Sequence, residues 1–387
     1  MHWNRTKNAK HELVMSLEDQ DEFPEEFARR FYHPICSDQE IDRIFDVKSA
    51  KDFLLKTRAD TAVDNMRLFR FFLNVRRIRG KKYSFEKALD DSHYKFALTR
   101  FTDKIQRRCS NVVYGDIFSN RPNGVIFKSD FGPILSLSYS LRYFLKFSHL
   151  AMLDFDEDVP QYVRFNALRI AIRVMLQKEA LDFLQDPRGI IPNSVAKKIH
   201  EPIKWQQAFI VAHEFGHYIL GHLNENETRN STPIFSSNSG ITHDSLTRIY
   251  SHLEQKEFAA DLWAISNFKT NDLDSEKLAD AVILWFVSLE LFELVDEQIS
   301  PKFGWQSRTH PPARDRLEAL VKQDVTVAQR WELLKKGANS QVNLCKDFLQ
   351  HDVATNIESY EMYGSLYLDE PNTEWRGREL IDRVDYY

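Results

Sequence analysis

Between Trp205 and Leu223 apolar residues recur at helical spacing, and two histidines four residues apart, His213 and His217, stand beside that stripe. The stripe is Trp205, Ala208, Phe209, Ala212, Gly216, Ile219, Leu220 and Leu223, on a helix expected from Pro202 as a first-turn residue to about Leu223. Side chains four apart on a helix project from one face about one turn apart. The imidazoles of His213 and His217 can therefore meet a tetrahedral zinc at ~2.0–2.1 Å. Glu214 is displaced by one residue around the axis. It lies near such a metal but off the shared face, which suits a carboxylate that takes a proton from the attacking water.

An H-E-x-x-H match arises by chance in roughly a few per cent of chains this long and this rich in histidine, so context has to decide. Context comes from a second helix expected over 244–268, with Asp244 or Ser245 as its cap. Leu246, Ile249, Tyr250, Leu253, Ala260 and Ala264 define its apolar stripe, and Glu257 and Asp261 fall within it one turn apart. A buried carboxylate without a partner is costly, so something positive must compensate the pair. Glu257 can complete a His2Glu set with water in the fourth position. Asp261 can accept the free N–H of a ligating histidine and fix its orientation. Competing ligands fit less well. His222 lies five residues after His217 rather than the six of a metzincin, His252 is off its helix's stripe, and His243 and His310 sit in loops.

The whole chain constrains where such a centre could work. Its 387 residues suffice for one large domain or two modest ones, and a net charge of −5 argues against a dedicated nucleic-acid binder. Cys36, Cys109 and Cys345 are odd in number and far apart, which fits reduced thiols in a cytoplasmic protein. The first twenty residues contain no apolar signal core. The greasiest run, Ala281 to Leu289, is flanked by Asp280, Glu290 and Glu293, so it reads as a buried helix and not as a membrane insertion.

The expected fold class is α+β, predominantly α-helical: a zincin-like metallopeptidase core with a small antiparallel sheet. Residues 1–107 read as a charged helical region. There Leu68, Phe71, Phe72, Val75 and Ile78 form an apolar face, and the basic stretch Arg67–Lys82 forms a solvated side or a partner or nucleic-acid surface. Residues 108–325 hold the catalytic domain and 326–387 a helical or mixed extension. The β-prone runs are Val112–Tyr114, Val125–Phe127, and an alternation in which Leu135, Leu137, Tyr139 and Leu141 alternate with Ser136, Ser138 and Ser140. That alternation predicts a half-buried strand, and its edge is the candidate for pairing with an extended substrate. Asn224 to Thr242 reads as a surface loop, a third helix as roughly 274–296, Pro301 to Gly304 as a break, and Thr309-His310-Pro311-Pro312 as the start of another helix.

Three blocks in order resemble the gluzincin peptidases of the Ste24/HtpX type, family M48: His213-Glu214-Phe215-Gly216-His217, then Glu257-Phe258-Ala259-Ala260-Asp261, then Thr309-His310-Pro311-Pro312 with Arg316. The resemblance spans about a quarter of the chain. It implies one Zn2+ per chain held by His213, His217 and Glu257, with Glu214 as general base. It also implies that His310 lies near the site as a hydrogen-bond donor to the tetrahedral intermediate, and Arg316 would neutralise a buried acid such as Asp261. Ste24 and HtpX members are membrane-embedded and this chain shows no such spans, so their substrates do not transfer. A looser analogy is to cytoplasmic bacterial HExxH proteases such as the phage-exclusion protease Lit, which leaves a defence or toxin role as one option. The expected activity is hydrolysis of peptide bonds in an intracellular protein or peptide. The competing expectation is a non-catalytic, metal-stabilised module that binds a ligand or partner.

Overall fold

The computed structural model describes residues 25–119, 122–180, 182–223, 254–299, 310–337 and 339–368. The expected loop from Asn224 to Thr242, the cap at Asp244 or Ser245, the stripe positions Leu246 to Leu253, His243, His252, the break at Pro301–Gly304 and Thr309 lie outside these residues.

Four helices come first: α1 (Glu25–Arg30), α2 (Asp38–Phe45), α3 (Ala50–Asp64) and α4 (Met66–Arg79). Their boundaries are written in capping residues. Ser37 and Glu40 form a reciprocal capping box at the start of α2. Asn65 ends α3 and accepts the amides of Arg67 and Leu68 to start α4. On α4, Leu68 and Phe72 are buried, but Ile78 is 80 % exposed, so the apolar face stops short of it. The basic side is partly structural, because Arg67 pairs with Asp182 and Arg76 donates to the carbonyls of His33 and Cys36.

After α5 (Ser92–Leu98) and α6 (Asp103–Cys109) come β1 (Val113–Tyr114), β2 (Gly124–Ser129) and β3 (Gly132–Leu137), in the order β1-β3-β2. The small sheet is mixed. The β2–β3 hairpin is antiparallel, whereas β1 runs parallel to β3 on its other side. The expected strand through Leu141 ends at Leu137, and α7 (Tyr139–Met152) begins two residues later. The serine side that imitates a solvent face is buried: Ser138 and Ser140 each donate to the carbonyl of Ser119, 2.9 Å away. A hydroxyl with a carbonyl partner costs little to bury, so period-two alternation of serine with leucine need not mark a half-exposed strand.

The remaining helices are α8 (Gln161–Met175), α9 (Asn193–Ile219), α10 (Glu254–Ser266), α11 (Asp272–Ile299), α12 (Ala313–Gln323), α13 (Val325–Gly337), α14 (Asn339–Thr355) and α15 (Glu358–Glu361). The molecule is thus α+β and predominantly helical. Pro202 lies inside α9 and not at its start, and leaves the carbonyl one turn back without its amide partner. Every side chain from Trp205 to His217 is buried. The apolar stripe is therefore only part of the buried surface: α9 is enclosed by α5, α7, α10, α11 and β2. No helix among the described residues is long and apolar enough to cross a membrane, and Ala281–Leu289 lies within α11.

One large apolar cluster runs from Tyr94 and Phe101 through α7, α8, α9 and α11 to Leu368. A second joins α2, α3 and α4 to Phe85 and Phe118. Arg58, buried on α3, ties the second to the sheet by donating to the Asp116 carbonyl at 2.6 Å and to the Asp91 carboxylate at 3.2 Å. A wholly buried charge network, Arg173–Glu179–Arg188–Asp182, fastens the segment after α8, and Arg173 and Glu179 extend it to the backbone of residues 362–366.

Candidate metal centre

The centre forms where α9 and α10 touch. Gly216 permits the contact: a Cβ there would lie 3.2 Å from the Ala260 carbonyl oxygen and 3.3 Å from its Cα. That proximity brings Glu257 and Asp261, 0 % and 1 % exposed, against the histidines of α9. The Nε2 atoms of His213 and His217 are 3.0 Å apart. His217 Nε2 is 3.3 Å from one Glu257 oxygen, and His213 Nε2 is 3.6 Å from the other.

These separations test whether a zinc ion fits. Ligand atoms at ~2.0–2.1 Å around a tetrahedral metal stand roughly 3.3 Å from one another. The three measured distances bracket that value, and one donor atom from each residue lies within 4.8 Å of the others. Neither oxygen of Glu257 receives a directed hydrogen bond, although His217, His310 and Arg316 approach to 3.0–3.3 Å. Two imidazole nitrogens facing one another beside a buried carboxylate form a donor set that a cation could join.

Around this core the sequence-predicted neighbours are present. Asp261 lies 2.9 Å from His213 Nδ1, on the side of the ring away from Glu257. Arg316, from the first turn of α12, grips Asp261 with both Nε and Nη2 at 2.7 and 2.6 Å. It also reaches Glu257 at 3.3 Å. His310 Nδ1 is 3.0 Å from Glu257, with the side chain 42 % exposed. His310 therefore borders the solvent side of the cluster.

Electrostatics follow from this packing. Burial alone would raise Glu257 and Asp261, but the surrounding imidazoles and Arg316 reverse it, holding Glu257 well below its ordinary range and Asp261 below its own. Burial works against charge on His213, yet Asp261 and Glu257 lift it above its usual value. His217 is lowered to about 4, chiefly by burial. Glu214 behaves differently: burial pushes it up to about 7, Glu257 adds to the rise, and His213, His310 and the Ile126 amide pull it down.

The place of β2 is not legible in the motif. A Cβ on Gly124 would come within 3.3 Å of a Glu214 oxygen, and the Ile126 amide hydrogen-bonds that carboxylate. The Leu135 carbonyl opposite Ile126 accepts from Gly115 on the β1 side, so the Ile126 amide points away from β3, along the edge of β2 that faces α9. The expected substrate edge on β3 is thereby overturned, because β3 has a strand on either side. The glycine just before the β-prone run Val125–Phe127 was the available signal, since a strand glycine often marks close approach of another segment. His222 is the other neighbour that ligand spacing passes over. Its Nδ1 lies 2.9 Å from Nδ1 of His217.

A helix-borne histidine pair and a carboxylate from a second helix could thus hold a metal ion, with a buried glutamate and a strand beside them. Residues 206–329 match the Peptidase U49 family. That segment, about a third of the chain, contains His213, Glu214, His217, Glu257, Asp261, His310 and Arg316, so the cluster falls wholly inside a peptidase-family match. No curated protein and no solved structure matches the chain.

Proposed function

We propose that the protein is a zinc-dependent endopeptidase of gluzincin type, with His213, His217 and Glu257 as metal ligands and Glu214 as general base. The observation that carries this reading is the convergence of two Nε2 atoms and one carboxylate within 4.8 Å, inside the peptidase-family segment. Bound zinc would polarise the scissile carbonyl and lower the pKa of water toward ~7. Glu214, held by the Ile126 amide and brought to about 7 by burial, is matched to accepting a proton from water and returning it to the leaving amine. Asp261 fixes the His213 ring, and Arg316 offsets the charge of Asp261 and Glu257. His310, at the open side, is placed to donate to the tetrahedral intermediate. An extended substrate would run beside β2, the strand bordering Glu214.

The M48 likeness of the three motif blocks supports the ligand set. The protein or peptide substrate is an intracellular one in this reading, and a defence or toxin-type protease remains within it. The test compares wild type with Glu214→Gln, which keeps the shape of the carboxyl but cannot act as base. The expected result is one equivalent of zinc on both proteins and cleavage, followed across a proteome, by wild type alone at ~100-fold or more above the variant. Equal cleavage by both would remove Glu214 from the mechanism. A wild type that holds no stoichiometric metal would end the zinc reading.

A further inference from the structure

The last turn of α9 places a second imidazole on a proposed metal ligand. The helix ends with the His222 amide donating to the His217 carbonyl at 2.9 Å and the Gly221 amide to the Tyr218 carbonyl at 3.3 Å. These two bonds are the paired closures of a Schellman motif, with Gly221 at the left-handed position, φ +75°. Nothing lies within 4 Å of a Cβ built there, so glycine is required by backbone conformation and not by space. The motif folds the residue after the glycine back over the residue five before it, a contact that is usually apolar. Here the contact is His222 on His217, with Nδ1 to Nδ1 at 2.9 Å, ring centroids 5.1 Å apart and planes at 63°.

We propose that His222 is a positioning residue for His217, accepting its Nδ1–H so that Nε2 is presented to the metal. The assignment follows from which nitrogen is engaged where. His217 Nε2 faces His213 and Glu257, and with zinc bound among them its lone pair would point to the metal and the ring proton would sit on Nδ1. Two facing Nδ1 atoms need one donor and one acceptor, so His222 accepts at Nδ1 and carries its own proton on Nε2. His213 is handled the same way, with Nε2 toward the site and Nδ1 on Asp261. Each ligand ring thus has its own partner: a carboxylate from α10 for one, and the turn that ends α9 for the other. The five-residue spacing that excludes His222 as a metzincin ligand is the spacing that a Schellman turn needs to reach His217.

The inference rests on the zinc reading, and the experiment separates the two. Zn2+ affinity of the full chain is measured by competition with a chromophoric chelator, alongside circular dichroism to confirm the fold. His222→Ala is expected to weaken Zn2+ by ~10- to 100-fold, the usual loss when a ligand's supporting partner is removed. His222→Asn, whose amide oxygen can accept the same proton, is expected to recover most of that affinity. Co2+ substituted into wild type and His222→Ala should give matching four-coordinate absorption bands. Wild-type affinity in His222→Ala would overturn the inference and leave the zinc reading intact. An Asn variant as weak as Ala, or a cobalt spectrum showing a lost nitrogen ligand, would overturn the positioning role. A wild type that binds no Zn2+ would overturn both.

Discussion

At the scale of single residues, the centre depends on charges that cannot be changed one at a time. Arg316 is buried between Asp261 and Glu257 and donates to the former through two nitrogens. Removing one member of a buried ion pair leaves the other uncompensated, at a cost of ~3–5 kcal/mol. Asp261→Asn is therefore expected to lower unfolding free energy by about that amount in urea titrations, and to weaken Zn2+ by ~10- to 100-fold through the loosened His213 ring. A variant as stable as wild type would show that the pair is dispensable. Glu257 and Asp261 were legible because an acid in an apolar stripe demands a cation. Arg316 was reachable only through its place after the H-P-P segment. Arg173, Glu179 and Arg188 gave no signal, because a charged residue reads the same in sequence whether it faces water or a partner six to nine positions on.

At the scale of elements, the fit between α9 and its neighbours sets the geometry of the candidate site. Gly216 admits α10, and Gly124 admits β2, where an added Cβ would approach Ile210 Cγ2 at 2.8 Å and Leu137 Cδ2 at 2.9 Å. Gly124→Val should push β2 from α9 and detach the Ile126 amide from Glu214, without touching the ligands. Overpacking of this kind costs ~1–3 kcal/mol. Peptide cleavage is expected to fall ~10-fold or more while Zn2+ affinity stays within about twofold, since displacement of the proposed general base forfeits part of its ~100-fold or larger contribution. Loss of Zn2+ in step with cleavage would contradict this division of labour. The helices around the site were readable from period, whereas the β3–α7 boundary was not. Leu135 to Leu141 satisfies a strand pattern, and only the buried Ser119 carbonyl, distant in sequence, reveals that Ser138 and Ser140 face inward. The start of α9 was missed because Pro202 suits a first turn, although here it lies inside the helix.

At the scale of the whole molecule, the segment matching the peptidase family does not contain its own core. The apolar cluster around α9 draws on Tyr94, Phe101, α7 and α8 before residue 206 and on Leu349, Val353 and Tyr360 after residue 329. Conditions that strain the core should therefore reach the site. His149, on α7, is wholly buried, with Nδ1 at 2.6 Å from the Leu145 carbonyl and its pKa lowered by burial to about 4. The unfolded chain holds this histidine near its ordinary ~6.5, so between these values it binds more protons than the native protein. The contribution of His149 is thus complete above pH ~6.5 and declines by ~1.4 kcal/mol per unit as pH falls toward 4. Between pH 7 and pH 5 the wild type should lose ~2 kcal/mol through this group. His149→Gln, neutral at both values, should show a stability loss over the same interval that is smaller by that amount, whatever its absolute stability at pH 7. Urea titrations of both proteins at the two pH values measure the difference. Parallel losses would mean that His149 takes up its proton in the native core as readily as in the unfolded chain.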